Sequence, residues 1–244
     1  MMRKLTLALA AIIVILMFSA SQAEEIYHQR AIEIKGGLAY FLDAGDPVDW
    51  PKTFVGSNVG DEMLYSPAFG ISVLYRTHNN FVWNLGYNYM LSSSTNYTVG
   101  VTAYEETVSA SEIYAMAGFI INPSGRLNLS LTTGPTLTIA SMDRISPAAG
   151  TLREFYGANG KSIGILAMAN LEYLLRNDLG IKLGAGFRGA SISNLGFVDS
   201  NEQQHDVMWT TPAGAVTPSS YTIDFSGFFA EFGFRFYLTP KDNW

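Results

Sequence analysis

The sequence contains no cysteine and only three histidines, and beyond residue 23 no run approaches 18 consecutive apolar residues. The missing cysteine excludes disulfides, thiolate metal sites and an amino-terminal cysteine for lipid attachment. The missing apolar run excludes a membrane-crossing helix in that part of the chain. Positive charge is scarce as well. Fifteen Lys and Arg against 21 Asp and Glu give a formal net charge of −6, and no basic cluster offers a footprint for nucleic acid. Nucleotide motifs fail on context. Gly184-Ala-Gly186-Phe-Arg-Gly189 has a dinucleotide-binding spacing but no helix pattern after it, and 157–162 echoes a phosphate loop with the wrong spacing. The acidic stretch with Asp43, Asp46, Asp49, Asp61 and Glu62 reads as solvated surface in preference to a cation site, so neither cofactor nor metal is expected.

What the chain does have begins with a leader. Arg3 and Lys4 precede an apolar run over 5–18, and Ser21-Gln22-Ala23 supplies a small-x-small cleavage pattern. Cleavage after Ala23 would leave 24–244 as one domain and take the net charge from −6 to −8. At the other end, 226–238 reads SGFFAEFGFRFYL. Every second residue of it (Phe228, Ala230, Phe232, Phe234, Phe236, Leu238) is uncharged, and Glu231 and Arg235 share the opposite parity. Period-two alternation marks a strand between two different environments.

The same pattern recurs seven times. Strands are expected over 31–42, 68–76, 81–90, 111–121, 127–133, 163–173 and 179–188. Long polar connections (43–67, 92–109 with room for strand-like arms at 97–104, 140–161, 191–221) alternate with short turns. Pro135 ends the clear part of the fifth strand, because proline removes a ladder hydrogen bond. Charged residues keep to one face: Glu33 and Lys35, Arg76, Glu112, Glu172, Lys182 and Arg188 all oppose an apolar face. Strands one, seven and eight each carry two charges, both on the same parity.

So many apolar faces leave too little chain to cover them, and lipid is the cover that fits. A Lys or Arg facing lipid near the bilayer midplane costs roughly 2–4 kcal/mol, which explains the one-sided charge. Open sheet edges in hydrocarbon leave unsatisfied backbone groups, so the sheet must close. The expected fold is all-β: an eight-stranded antiparallel up-and-down transmembrane β-barrel with long extracellular loops and short periplasmic turns. Tyr40, Tyr75, Trp83, Tyr87, Tyr89 and Tyr173 suit interfacial girdles. A secreted lipocalin-like barrel or sandwich is the competing fold, and it leaves the glycines and asparagines on the charged faces unexplained.

With this leader, strand count and loop asymmetry, the chain resembles the small outer-membrane barrels of the OmpA, OmpX and OmpW type. Glu231-x-Gly233-x-x-Phe236-x-Leu238 is similar to the carboxy-terminal signal read by the barrel-assembly machinery, although the chain runs on to Trp244. The resemblance implies residence in the bacterial outer membrane, among its lipids and beneath a lipopolysaccharide outer leaflet. It also implies surface loops open to an extracellular ligand.

In such a barrel the seven charges Glu33, Lys35, Arg76, Glu172, Lys182, Glu231 and Arg235 fall in the lumen. Eight strands leave a bore just wide enough for side chains, so these charges are expected to pair and plug it. A structural or surface-interaction role follows, with a narrow conduit for small, even hydrophobic, solutes as the alternative. Met90, Leu166, Met168 and Phe229 make the upper lumen apolar. Surface lipid hydrolysis ranks last: enzymes on this architecture pair a rim His with Ser or an acid, and only His205, beside Asp206, lies in an extracellular loop.

Overall fold

The computed structural model describes residues 30–42, 58–59, 65–77, 80–99, 102–121, 126–145, 155–176, 178–199, 201–207 and 221–238. The expected leader, most of the acidic stretch, His28, His78 and the chain after Leu238 lie outside these residues. Eight strands form the wall: β1 Arg30–Phe41, β2 Tyr65–Arg76, β3 Phe81–Val99, β4 Thr102–Ile121, β5 Leu127–Ile145, β6 Phe155–Arg176, β7 Leu179–Gly189 and β8 Gly227–Tyr237. Each pairs antiparallel with the next. β8 closes on β1 from Ala31↔Tyr237 to Phe41↔Gly227, so among these strands no edge is left unpaired along the belt.

The face assignment follows the alternation. Phe69, Ile71 and Val73 on β2, Trp83 and Leu85 on β3, and Phe228, Phe232, Phe234 and Phe236 on β8 stand exposed on the outside. Glu33, Lys35, Asn84, Glu112, Asn170, Glu172 and Lys182 are buried inside. The six girdle aromatics named above are all exposed on the outer face. Lumen packing is tight enough to demand glycine: a Cβ on Gly86 would collide with the Tyr114 hydroxyl, and one on Gly184 would press on Asn170 and Glu231.

The structure corrects the strand lengths. β1, β2, β7 and β8 are 11–12 residues long, whereas β3 to β6 run 19, 20, 19 and 22. An 11-residue strand at about 3.4 Å per residue and a typical tilt of about 40° rises ~28 Å, close to the apolar band of such barrels. The long strands therefore stand well above it on one side. Most of 92–109 and parts of 140–161, expected as loops, are the upper halves of β3 to β6. A bulge between Met90 and Ser93 marks the transition. Above it the outer face turns from Tyr89 and Leu91 to Ser92, Ser94 and Asn96, and on β4 to Ser109, Thr107 and Glu105.

Pro135 is also corrected. It sits inside β5, facing outward and paired with Ile165 of β6. On its other side, pairing with β4 skips from Tyr114↔Thr136 to Ala117↔Thr133, as a residue without an N–H requires.

The segment after β7, expected as a surface loop, turns into the barrel mouth. Ile192 pairs with Ile223, and Gly196 with Asn159 of β6. Ile192, Leu195, Phe197, Tyr221, Ile223 and Phe225 pack against Phe41, Met90, Val108, Ala140 and Met142 of the inner wall. Phe225 meets Phe41 edge-on at 5.6 Å. The upper barrel is filled by its own chain.

Candidate functional site

The lumen carries three charge clusters stacked along its axis. In the lowest, register brings Glu33 of β1 opposite Arg235 of β8, and Arg235 donates to Glu33 at 2.8 Å and to Glu172 at 2.7 Å. Lys182 bridges Glu33 (2.5 Å) and Glu231, and Lys35 donates to Glu231 at 2.8 Å. Tyr237 completes the cluster by donating to both Glu172 oxygens, at 2.7 and 2.8 Å. Lys35 also lies 4.8 Å from the centre of the Tyr114 ring. Three cations meet three carboxylates, and every member of this lowest cluster is buried or nearly so.

The middle cluster spans the bore. Arg188 of β7 donates to Glu112 of β4 at 2.7 Å, Asn88 adds a bond to Glu112 at 2.8 Å, and Arg188 packs over the Phe229 ring. Between it and the lowest cluster a void of about 20 Å³, lined in part by Lys35, Asn88, Arg188 and Glu231, has room for about one water. Leu166, Met168 and Met116 pack against Tyr114 and Phe229 in an apolar layer beside it.

The uppermost cluster is not visible in the sequence. Glu106 of β4 accepts from Arg144 (2.6 Å), Tyr97 (2.9 Å) and Tyr221 (2.6 Å), and Arg144 lies 5.5 Å from the Tyr221 ring centre. Burial pushes the Tyr221 hydroxyl well above its usual value, and the Glu106 charge pushes it the same way, so Tyr221 stays a donor. This bond ties the returning segment to the wall. A hydrogen bond to a charged group contributes about 1.5–3 kcal/mol. Tyr221→Phe should therefore speed limited proteolysis within 193–207 while the barrel below stays intact, and unchanged cleavage would show that the apolar packing alone holds the segment.

Of the seven lumen charges read from sequence, six meet in the lowest cluster. Arg76 sits half-exposed at the end of β2, beside the turn to β3. Of the closing-strand residues, Phe228, Phe232, Phe234, Phe236 and Leu238 are exposed on the outer wall, and Gly233 is buried between Ile34, Lys35 and Lys182. His205 bonds Asp199 at 2.9 Å, not its neighbour Asp206, and stacks on Phe197. Among the described residues no group of three His, Asp or Glu side chains is placed to hold a metal.

A belt of exposed Phe, Ile, Leu, Tyr, Val and Trp around a closed sheet, with its charges buried inside, defines a membrane-embedded barrel. The fold is also found among solved structures. A major outer membrane protein from Thermus thermophilus is similar with a TM-score of 0.52 at 11% identity, over 86% of this chain and 100% of that one. OprG from Pseudomonas aeruginosa (TM-score 0.45, 9% identity) covers 89% of this chain and 100% of its own. Neisserial surface protein A (0.42, 12%) covers 86% and 97%. At 11% identity the likeness to the Thermus thermophilus protein is one of fold alone, a closed antiparallel barrel. No protein-family model matches the sequence, and comparison with curated proteins finds no match.

Proposed function

We propose that this chain is a non-conducting, non-enzymatic barrel of the bacterial outer membrane whose upper halves of β3 to β6 form a surface-exposed collar for contacts outside the cell. One observation carries this reading: each of the three lumen clusters is charge-balanced, three against three and then one against one twice. A selective ion path needs uncompensated charge or open polar lining along its bore. Here the fixed charges neutralise one another. The mouth above them is occupied by the segment around Ile192 and Ile223. The surroundings suit the role: lipids around the belt, the lipopolysaccharide leaflet beside the collar, and an extracellular ligand on the collar or loops. The assembly machinery reads the strand ending in Phe236 and Leu238.

Reconstitution into planar bilayers tests the proposal. The expected result is a silent membrane with the full chain inserted, insertion being verified by heat-modifiable gel mobility. Discrete openings that change size on Glu231→Gln or Arg235→Gln would overturn it in favour of a conduit.

A further inference from the structure

The belt is not uniform. On the wall formed by β4 to β7, one patch of outward positions is small: Ala117, Ala167, Ala169 and Ala185, with Thr133 between. Pairing places them side by side, Ala117↔Thr133↔Ala167 in one row and Ala169↔Ala185 in the next. Large rings stand at both ends. Phe81 meets Phe119 at 5.3 Å on one side, and Phe187 meets Phe228 at 5.6 Å on the other. The result is an open groove of about 790 Å³ on the outside of the barrel.

We propose that this groove holds an acyl chain of a membrane lipid as a fixed ligand, distinct from the freely exchanging lipid around the rest of the belt. The proposal rests on the transmembrane reading above. Its position selects hydrocarbon, because the groove is continuous with belt rows that carry Leu131, Trp83 and Phe228. Its surface asks for nothing polar: the Thr133 hydroxyl already donates to the Leu166 carbonyl at 3.0 Å. Its volume equals roughly 25 water-sized groups, enough for a chain of methylenes. In hydrocarbon, association is driven by close packing more than by transfer from water, so a concave floor gains contacts a convex wall cannot. A second copy of the barrel fits less well. A two-fold pairing through this wall would set concavity against concavity and leave a void.

Native mass spectrometry of the full chain, released from micelles doped with palmitoyl-oleoyl phosphatidylethanolamine, tests this. The wild type should carry one phospholipid adduct. Ala169→Phe, which fills the floor, should lower the adduct fraction about tenfold, the loss expected for on the order of ten carbon–carbon contacts. Val73→Phe on β2 should leave it unchanged. Heat-modifiable mobility of each variant establishes that the barrel is folded. Equal adducts in all three, no adduct in the wild type, or a wild-type dimer lost in Ala169→Phe would overturn the proposal with the barrel intact. A wild type that stays folded and monomeric without detergent would instead overturn the transmembrane reading.

Discussion

Lys182→Met should destabilise the barrel by about 3–5 kcal/mol, the range for removing one partner of a buried ion pair. Lys182 is wholly buried and bridges two carboxylates, Glu33 and Glu231, so its loss leaves three carboxylates facing two cations. Little of the cost is packing, because Met has similar length and volume. The double variant Lys182→Met/Glu33→Gln separates the two causes. It restores balance and leaves two one-to-one pairs, Lys35–Glu231 and Arg235–Glu172. It should regain most of the lost stability, although it loses more charged contacts than the single variant. Urea unfolding in detergent, read by gel mobility, measures both. A double variant as unstable as the single one would show that contact number matters here and charge balance does not. Arg176–Asp178 is the control: that pair is 70% and 53% exposed, and Asp178→Asn should change stability by well under about 1 kcal/mol.

The parts of this architecture that can be read from the chain are those where the two faces of a strand meet different media. In β1, β2 and β8 lipid lies on one side and a charged lumen on the other, so Ile34, Val73 and Phe232 alternate with Lys35, Leu74 and Gly233 in plain view. Above the belt the contrast vanishes. The outer faces of β3 and β4 turn toward water, and Ser94, Asn96 and Thr107 there alternate with buried Thr95, Tyr97 and Glu106. Polar residues on both sides resemble a loop, which is why 92–109 reads as one. The Glu106 cluster is hidden by the same loss. Glu112 and Arg188 can each be placed inward, yet they lie 76 residues apart on strands that are not neighbours. Only the curvature of the closed sheet brings them together. The reach of Tyr237 back to Glu172 has the same origin.

Phe232→Arg should abolish stable assembly in the membrane, whereas Thr107→Arg should be tolerated, although both side chains point outward from the wall. Phe232 lies near the middle of β8, between Gly36 and Leu183 on its neighbours, and its ring meets Phe234 at 5.2 Å. An arginine there faces acyl chains at a cost of roughly 2–4 kcal/mol. That is a large share of the roughly 5–15 kcal/mol that holds a typical domain together. It falls on the strand that must close against β1, so the penalty acts before the barrel is sealed. Thr107 points outward from β4 among Ser and Glu side chains, above the belt. A charge in water there should shift stability by no more than about 0.5 kcal/mol. Outer-membrane yield and heat-modifiable mobility distinguish the two. In a water-soluble barrel the ranking would fail, because Phe232 would be one more exposed phenylalanine and arginine would improve solubility. Equal yields of the two variants would therefore remove lipid as the cover of the apolar face.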